Sequence, residues 1–179
     1  MRITLLASPD ELLWVDLLNA MARHNARQFV SDPTLPPLYD SGVRYHRNEQ
    51  AMWCRLQELR GGGGCADPIG ELWCDVLTTY ELGYEDCDGL SAIRAGELLA
   101  RGTAALRPGE RGYRPNRRRR VHAEVALRTR QPLGRRGGLY HCIVRYRVLL
   151  PGGWSRWLYD DPSARLGMRS NAPDAQLSA

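Results

Sequence analysis

The sequence predicts an α+β fold in which N-terminal helices are followed by an antiparallel sheet. Apolar residues recur at helical spacing as far as about Leu99, and beyond Arg120 they alternate with polar residues as they do in strands. Turn residues at 137–138 and 151–153 separate the alternating segments. The chain has 179 residues, the size of one domain, and its 43% hydrophobic content excludes a wholly disordered protein.

Residues 1–35 are predicted to form an N-terminal helix and an extended lead-in. The helix spans 9–24, where Pro9 suits a first helical turn and Ser8 is a capping residue type. Its apolar stripe consists of Leu12, Leu13, Val15, Leu17, Leu18 and Met21. Three prolines within 31–46 then favour an extended, ordered loop.

Three further helices are predicted before the sheet. One spans 48–59 and ends at a run of four glycines, and the next spans 69–81 and ends at Gly83. The last begins after Asp86, a natural N-cap, and continues to about Leu99.

Three strands are predicted after the irregular, basic segment 107–120. They form an antiparallel meander with short turns and span 121–129, 140–150 and 155–159. The core of the protein is therefore expected within 36–168, and residues 169–179 are expected to be a polar, frayed tail.

The composition excludes several classes of protein. No run approaches the ~18 consecutive apolar residues of a membrane span, so an integral membrane protein is excluded. Asp10 and Glu11 interrupt the only apolar stretch near the N-terminus that resembles a signal peptide, which predicts a cytosolic protein. All 25 basic residues are arginine, so no lysine amine is present for acylation, a Schiff base or an isopeptide bond.

The five cysteines point to thiol chemistry rather than to disulfides or metal. They are odd in number, and their spacings contain no C-x-x-C pair, so neither a disulfide framework nor a structural zinc site is predicted. We predict no cofactor. Reduced thiols are expected, and one of them is a candidate for reactivity.

Cys87 is that candidate, because it lies in the first turn of a predicted helix. Unpaired backbone N–H groups and the helix dipole favour a thiolate there. His141 opens the second predicted strand and Asp161 follows the third, so neighbouring strands would bring a carboxylate to an imidazole. Such a set of groups is typical of a thiol enzyme that transfers acyl groups.

The same segments resemble a known family. EDCDGLSAIRAGELLARG resembles the G-D-C-x-D-L-A motif of transglutaminase-like proteins in the papain-like cysteine-enzyme superfamily, and YHCIVRY and YDDPSARLGM resemble its His and Asp strands. The resemblance is strongest to short transglutaminase-like proteins from the virion gene blocks of tailed bacteriophages. It extends to LYDSGVRYHRNEQAMW at 38–53 and covers about 36–168. It implies a papain-like core with Cys87 as nucleophile, His141 as general base and acid, and Asp161 as the orienting carboxylate.

The resemblance implies two functions. One is a peptidase, amidase or acyl transferase that acts on a protein or peptide substrate. The other is a structural protein of the virion neck or tail that keeps the fold without catalysis. Either would be found in the host cytoplasm during assembly or in the virion, in contact with other virion proteins.

Some assignments stay open at this point. His122 competes with His141, and Asp160 competes with Asp161. Strand alternation places His141 on a polar face that suits an open cleft, and it places the neighbouring Cys142 on the opposite, apolar face.

The surroundings of Cys87 depart from the family pattern. Glu85 stands where the family has glycine, and Gly89 stands where it has an acidic residue. Glu85, Asp86 and Asp88 also place negative charge near the thiol, which is expected to raise its pKa. The backbone N–H of Cys87 is one expected oxyanion donor. The candidates for a second donor are Trp73, Tyr80 and Tyr84.

The arginine run Arg117–Arg120 is the remaining charged feature. It lacks a recognisable reading motif, so we predict at most nonspecific contact with nucleic acid. A solvated loop or an interface with an acidic protein is the preferred interpretation.

Overall fold

The predicted α+β class is confirmed by a computed structural model that describes residues 4–7, 11–46, 58, 61, 71–113, 118–129 and 140–168. In chain order the elements are β1 (Thr4–Ala7), α1 (Glu11–Ser31), β2 (Arg44–Tyr45), β3 (Glu71–Cys74), α2 (Val76–Leu82), β4 (Tyr84–Glu85), α3 (Cys87–Arg101), β5 (Val121–Thr129), β6 (Tyr140–Leu150), β7 (Gly153–Trp154), β8 (Leu158–Asp160) and α4 (Pro162–Arg165). Short 3₁₀ helices lie at Leu38–Asp40 and Gly102–Ala105.

The main sheet is built on β6, its longest strand. β5 pairs antiparallel along β6 from Val121 opposite Val148 to Thr129 opposite Tyr140. β8 pairs with the other edge of β6 only at Val144–Tyr146. Because this pairing is short, the first residues of β6 are not paired with β8 and lie next to its C-terminal end.

The core lies between this sheet and the two long helices α1 and α3. Alternate residues of β5 and β6 face the helices, and α1 contributes Leu18, Met21 and Ala22 to the same cluster. In the part of the chain that the structure describes, no helix is long and apolar enough to cross a membrane.

Helix α1 continues past the predicted end at residue 24 to Ser31. Its last two turns carry buried amides instead of a continuous apolar stripe. Asn25 accepts a hydrogen bond from the Val76 N–H at 2.9 Å, and Gln28 donates one to Asp75 at 2.9 Å. Each of the two amides therefore has a hydrogen-bond partner inside the fold, and periodicity alone could not detect these contacts.

The helix predicted at 69–81 is wrong in its first half. Residues Glu71–Cys74 form β3, which pairs antiparallel with β1, and helix α2 begins only at Val76. Asp75 separates the two elements, because its carboxylate caps α2 by accepting the Thr78 N–H at 2.9 Å. An apolar run at helical spacing cannot reveal a strand partner almost 70 positions away.

The third predicted strand, 155–159, is also corrected. The chain forms two short strands, β7 at Gly153–Trp154 and β8 at Leu158–Asp160. The predicted helix at 48–59 lies outside the described residues apart from Glu58, as do the turn at 137–138 and the tail 169–179.

Candidate active site

Helix α3 begins at Cys87 because Asp86 caps it. The Asp86 carboxylate accepts hydrogen bonds from the N–H groups of Asp88, at 3.1 Å, and Gly89, at 3.4 Å. The cap holds the Cys87 side chain at the N-terminal end of a 15-residue helix, where the dipole favours negative charge.

His141 and Asp161 meet where β6 begins and β8 ends. The Nε2 atom of His141 lies 2.8 Å from Oδ2 of Asp161. The other oxygen of Asp161 accepts the Ala164 N–H at 3.1 Å and so caps α4. The carboxylate is thereby fixed at both oxygens, and the imidazole keeps Nδ1 for another partner.

The Cys87 thiol lies near the same imidazole, and its sulfur donates a hydrogen bond to Oδ1 of Asp88 at 3.0 Å. Its pKa is lowered chiefly by a hydrogen bond from the Cys142 thiol; burial opposes the shift, and hydrogen bonds with His141, Asp88 and the Cys142 backbone add to it. Burial disfavours the imidazolium of His141, but hydrogen bonds to Asp161 and Cys87 raise its pKa to about 9. Both shifts favour a thiolate–imidazolium pair at neutral pH.

The ring of His141 is buried, with 4% of its surface exposed, which corrects the expectation of an open, polar position. Alternation assigned the strand face correctly, with Ile143 and Arg145 on the same side as His141. Alternation cannot show that Cys87 and Asp161 close around the ring at the strand end.

The acidic residues near Cys87 do not have the expected effect on the thiol. Burial raises the pKa of Glu85 to about 8, and it outweighs hydrogen bonds that the carboxylate accepts from Asp86 N–H, Thr79 hydroxyl and Cys74 N–H. Burial, followed by the charge of Cys87, also raises the pKa of Asp88. Both carboxyls therefore tend to be protonated near neutral pH and oppose the thiolate little.

The two departures from the family motif prove to be one feature of the structure. A Cβ atom placed on Gly89 would lie 2.4 Å from both Cγ and Cδ of Glu85. The Glu85 side chain therefore fills the space that a side chain at position 89 would use. The buried carboxyl group next to Gly89 therefore belongs to Glu85.

The competing candidates lie elsewhere. His122 is opposite Arg147 on the sheet, and its ring packs against Trp154 and Trp157. Asp160 faces the core, where Arg94 Nε lies 2.8 Å from its carboxylate and the Tyr39 hydroxyl donates to it at 2.8 Å. Of these four candidates, His141 and Asp161 are therefore the two that contact each other.

Of the three candidates for a second oxyanion donor, Trp73 lies near the site. Its side chain is buried and lies close to the Asp88 carboxyl. The indole lowers the pKa of that carboxyl, whereas burial raises it. The Tyr80 hydroxyl instead donates to the Pro36 carbonyl at 3.0 Å, and the Tyr84 ring packs against His46.

A cleft of about 380 Å³ lies next to Asp161 on the outer face of the sheet. Sequence reasoning did not identify it, although strand alternation already placed some of its residues on one face. Sequence reasoning also missed the part played by Cys142, whose thiol and backbone both reach Cys87. Its assignment to the apolar face was correct, but that is the face on which Cys87 packs.

Among the described residues, no group of three or more His, Cys, Asp or Glu side chains is placed to hold a metal ion. Comparisons of the chain with protein-family models, curated proteins and solved structures found no match.

Proposed function

We propose that this chain is a transglutaminase-like thiol enzyme with a papain-like core, which acts as a peptidase, amidase or acyl transferase. The observation that carries the proposal is the position of His141 between Cys87 and Asp161: its Nε2 atom lies 2.8 Å from the Asp161 carboxylate, and its ring and the Cys87 thiol are close enough for each to shift the pKa of the other. A thiol of lowered pKa, an imidazole and a fixed carboxylate in that order are the groups that nucleophilic acyl transfer requires.

The reaction follows from these groups. The Cys87 thiolate attacks the carbonyl carbon of an amide, and the backbone N–H at the start of α3 donates to the oxygen that becomes negative. The C–N bond then breaks, and the His141 imidazolium gives its proton to the departing amine. Water or a second amine attacks the thioester, His141 accepts the proton, and the thiolate leaves. The chain has no lysine, so an acceptor lysine would belong to another molecule.

The resemblance to bacteriophage proteins supplies the proposed setting. We place the enzyme in the host cytoplasm during virion assembly or in the particle, with a protein or peptide as substrate and other virion proteins as partners. A chain that retains the fold for assembly alone would have the same location without a reactive thiol.

The pH dependence of Cys87 alkylation by iodoacetamide tests the proposal. Wild-type Cys87 should react at a nearly constant rate from about pH 6 to 8, because its thiol is ionised well below the ordinary pKa of ~8.5. His141→Ala should move the profile toward that ordinary value, and Asp161→Asn should move it less. Peptide mapping by mass spectrometry separates Cys87 from the other cysteines.

Acyl transfer itself is measured with p-nitrophenyl acetate. We expect release of nitrophenolate with acetylation of Cys87, and then loss of the acetyl group to water or to an added amine. Cys87→Ser is the matched control. Alkylation profiles that are identical in wild type and His141→Ala would refute the catalytic pair and favour the assembly role.

A further inference from the structure

The cleft beside Asp161 is lined by both apolar and charged residues. Its lining includes Ala126 and Ile143, the cations Arg128 and Arg145, and Tyr159. Apolar lining residues contact the aliphatic part of a bound ligand, and charged lining residues select the charge of its polar end.

The register of the sheet places this cleft directly next to the proposed catalytic groups. Arg128 is opposite His141 on β5 and β6, and Ala126 is opposite Ile143 in the next row of the same face. Asp161, which contacts His141, lines the cleft as well. A group bound in this cleft therefore lies beside the His141–Asp161 pair.

The charges around the cleft are mostly compensated. Asp161 pairs with His141, and Asp160 pairs with Arg94 and Arg165. Arg145 pairs with Glu124.

Arg128 is the exception. It is exposed, and none of the ion pairs found among the described residues includes it. The guanidinium group of Arg128, which is opposite His141 in the sheet, is therefore available to a ligand in the cleft. A guanidinium group binds a carboxylate with two parallel hydrogen bonds.

We infer that this cleft is a substrate subsite for an acidic group, in which Arg128 binds a carboxylate and Ala126 and Ile143 contact its aliphatic stem. The inference rests on the proposed function and narrows its substrates to peptides or amides with an acidic side chain next to the reacting bond. Arg128 is a specificity-determining residue in this arrangement and takes no part in the bond changes.

Two alkylating reagents of the same shape test the inference. N-iodoacetyl-glutamate and N-iodoacetyl-glutamine differ in one charge. With each reagent, the Cys87 sulfur forms a bond to the CH₂ carbon as the C–I bond breaks and iodide leaves, so the rest of the reagent stays attached to the cysteine. We expect the glutamate reagent to react about fivefold faster, the factor expected for unit charges about 4 Å apart in water. The preference should decrease as salt is added.

Three variants separate the possible causes. Arg128→Gln should abolish the preference and Arg128→Lys should keep most of it. Arg23→Gln should change nothing, because Arg23 is exposed on α1, which packs on the opposite face of the sheet.

The outcomes distinguish this inference from the proposed function. Equal rates for the two reagents, or a preference that survives in Arg128→Gln, would overturn the acidic subsite and leave the thiol enzyme in place. A Cys87 that reacts slowly with both reagents and with iodoacetamide at neutral pH would overturn both.

Discussion

Replacement of Gly89 tests whether Glu85 and Gly89 form one compensating pair. In Gly89→Asp the new Cβ atom would lie 2.4 Å from Cγ and Cδ of Glu85, a separation that forces the buried side chain to move. Overpacking of this kind costs about 1–3 kcal/mol. In Glu85→Gly the hydrogen bonds to Asp86 N–H, Thr79 hydroxyl and Cys74 N–H are lost. At about 1 kcal/mol each, that variant should lose about 3 kcal/mol.

The double variant Glu85→Gly with Gly89→Asp should recover part of both losses. Removal of the Glu85 side chain opens the space that the new side chain needs. The carboxyl group of the introduced aspartate is bonded directly to the Cβ atom that clashes with Glu85 in the single variant. We expect a coupling free energy of about 2 kcal/mol in favour of the double variant, within the range seen for residues in contact.

Urea denaturation measures the free energy of unfolding of the wild type, both single variants and the double variant. Iodoacetamide reactivity of Cys87 shows in parallel whether the start of α3 keeps its geometry. Glu81→Gly is a suitable control, because Glu81 is an exposed glutamate on α2. Strictly additive losses in the double variant would refute the exchange.

Two further predictions concern the arginines. Arg94→Met should lower the free energy of unfolding by about 3–5 kcal/mol in urea, because fully buried Arg94 lies between the carboxylates of Asp160, Glu97 and Glu110, which would lose their common counter-ion. Replacement of Arg117–Arg120 by serine should lower that free energy by about 2 kcal/mol, because the side chains of Arg118 and Arg119 donate hydrogen bonds to the carbonyls of Ala100 and Leu149, and it should remove any salt-sensitive binding to DNA in a gel-shift assay. Complete unfolding of the second variant would contradict this estimate, because two side-chain hydrogen bonds do not account for a loss of that size.

Local signals in the sequence predicted the start of α3 and the two long strands. Asp86 caps the helix through its own carboxylate, and alternation along β5 and β6 follows from burial of one sheet face. Both features depend on residues only a few positions apart, which is why a single sequence contains them.

Features that depend on distant partners could not be predicted in this way. Cys74 belongs to a strand because β1 pairs with it, although its neighbours have helical spacing. The lowered pKa of Cys87 depends on Cys142, which comes from β6, and no local pattern relates the two thiols. The buried carboxyl of Glu85 was expected to act as a charge, and only its full burial shows why it does not.

Asp160 and Asp161 show how one register decides the site. They are adjacent, and without the family resemblance the residues themselves leave either one as the partner of His141. Asp160 is opposite Val144, which lies in the core, so Asp160 points inward and joins the Arg94 ion pairs. Asp161 follows with the opposite orientation and meets His141, which lies on the outer face. A shift of one residue in the pairing of β8 would turn Asp160 away from Arg94 and Asp161 away from His141. The ion pairs of Asp160 with Arg94 and Arg165 therefore fix the register that holds Asp161 against the imidazole.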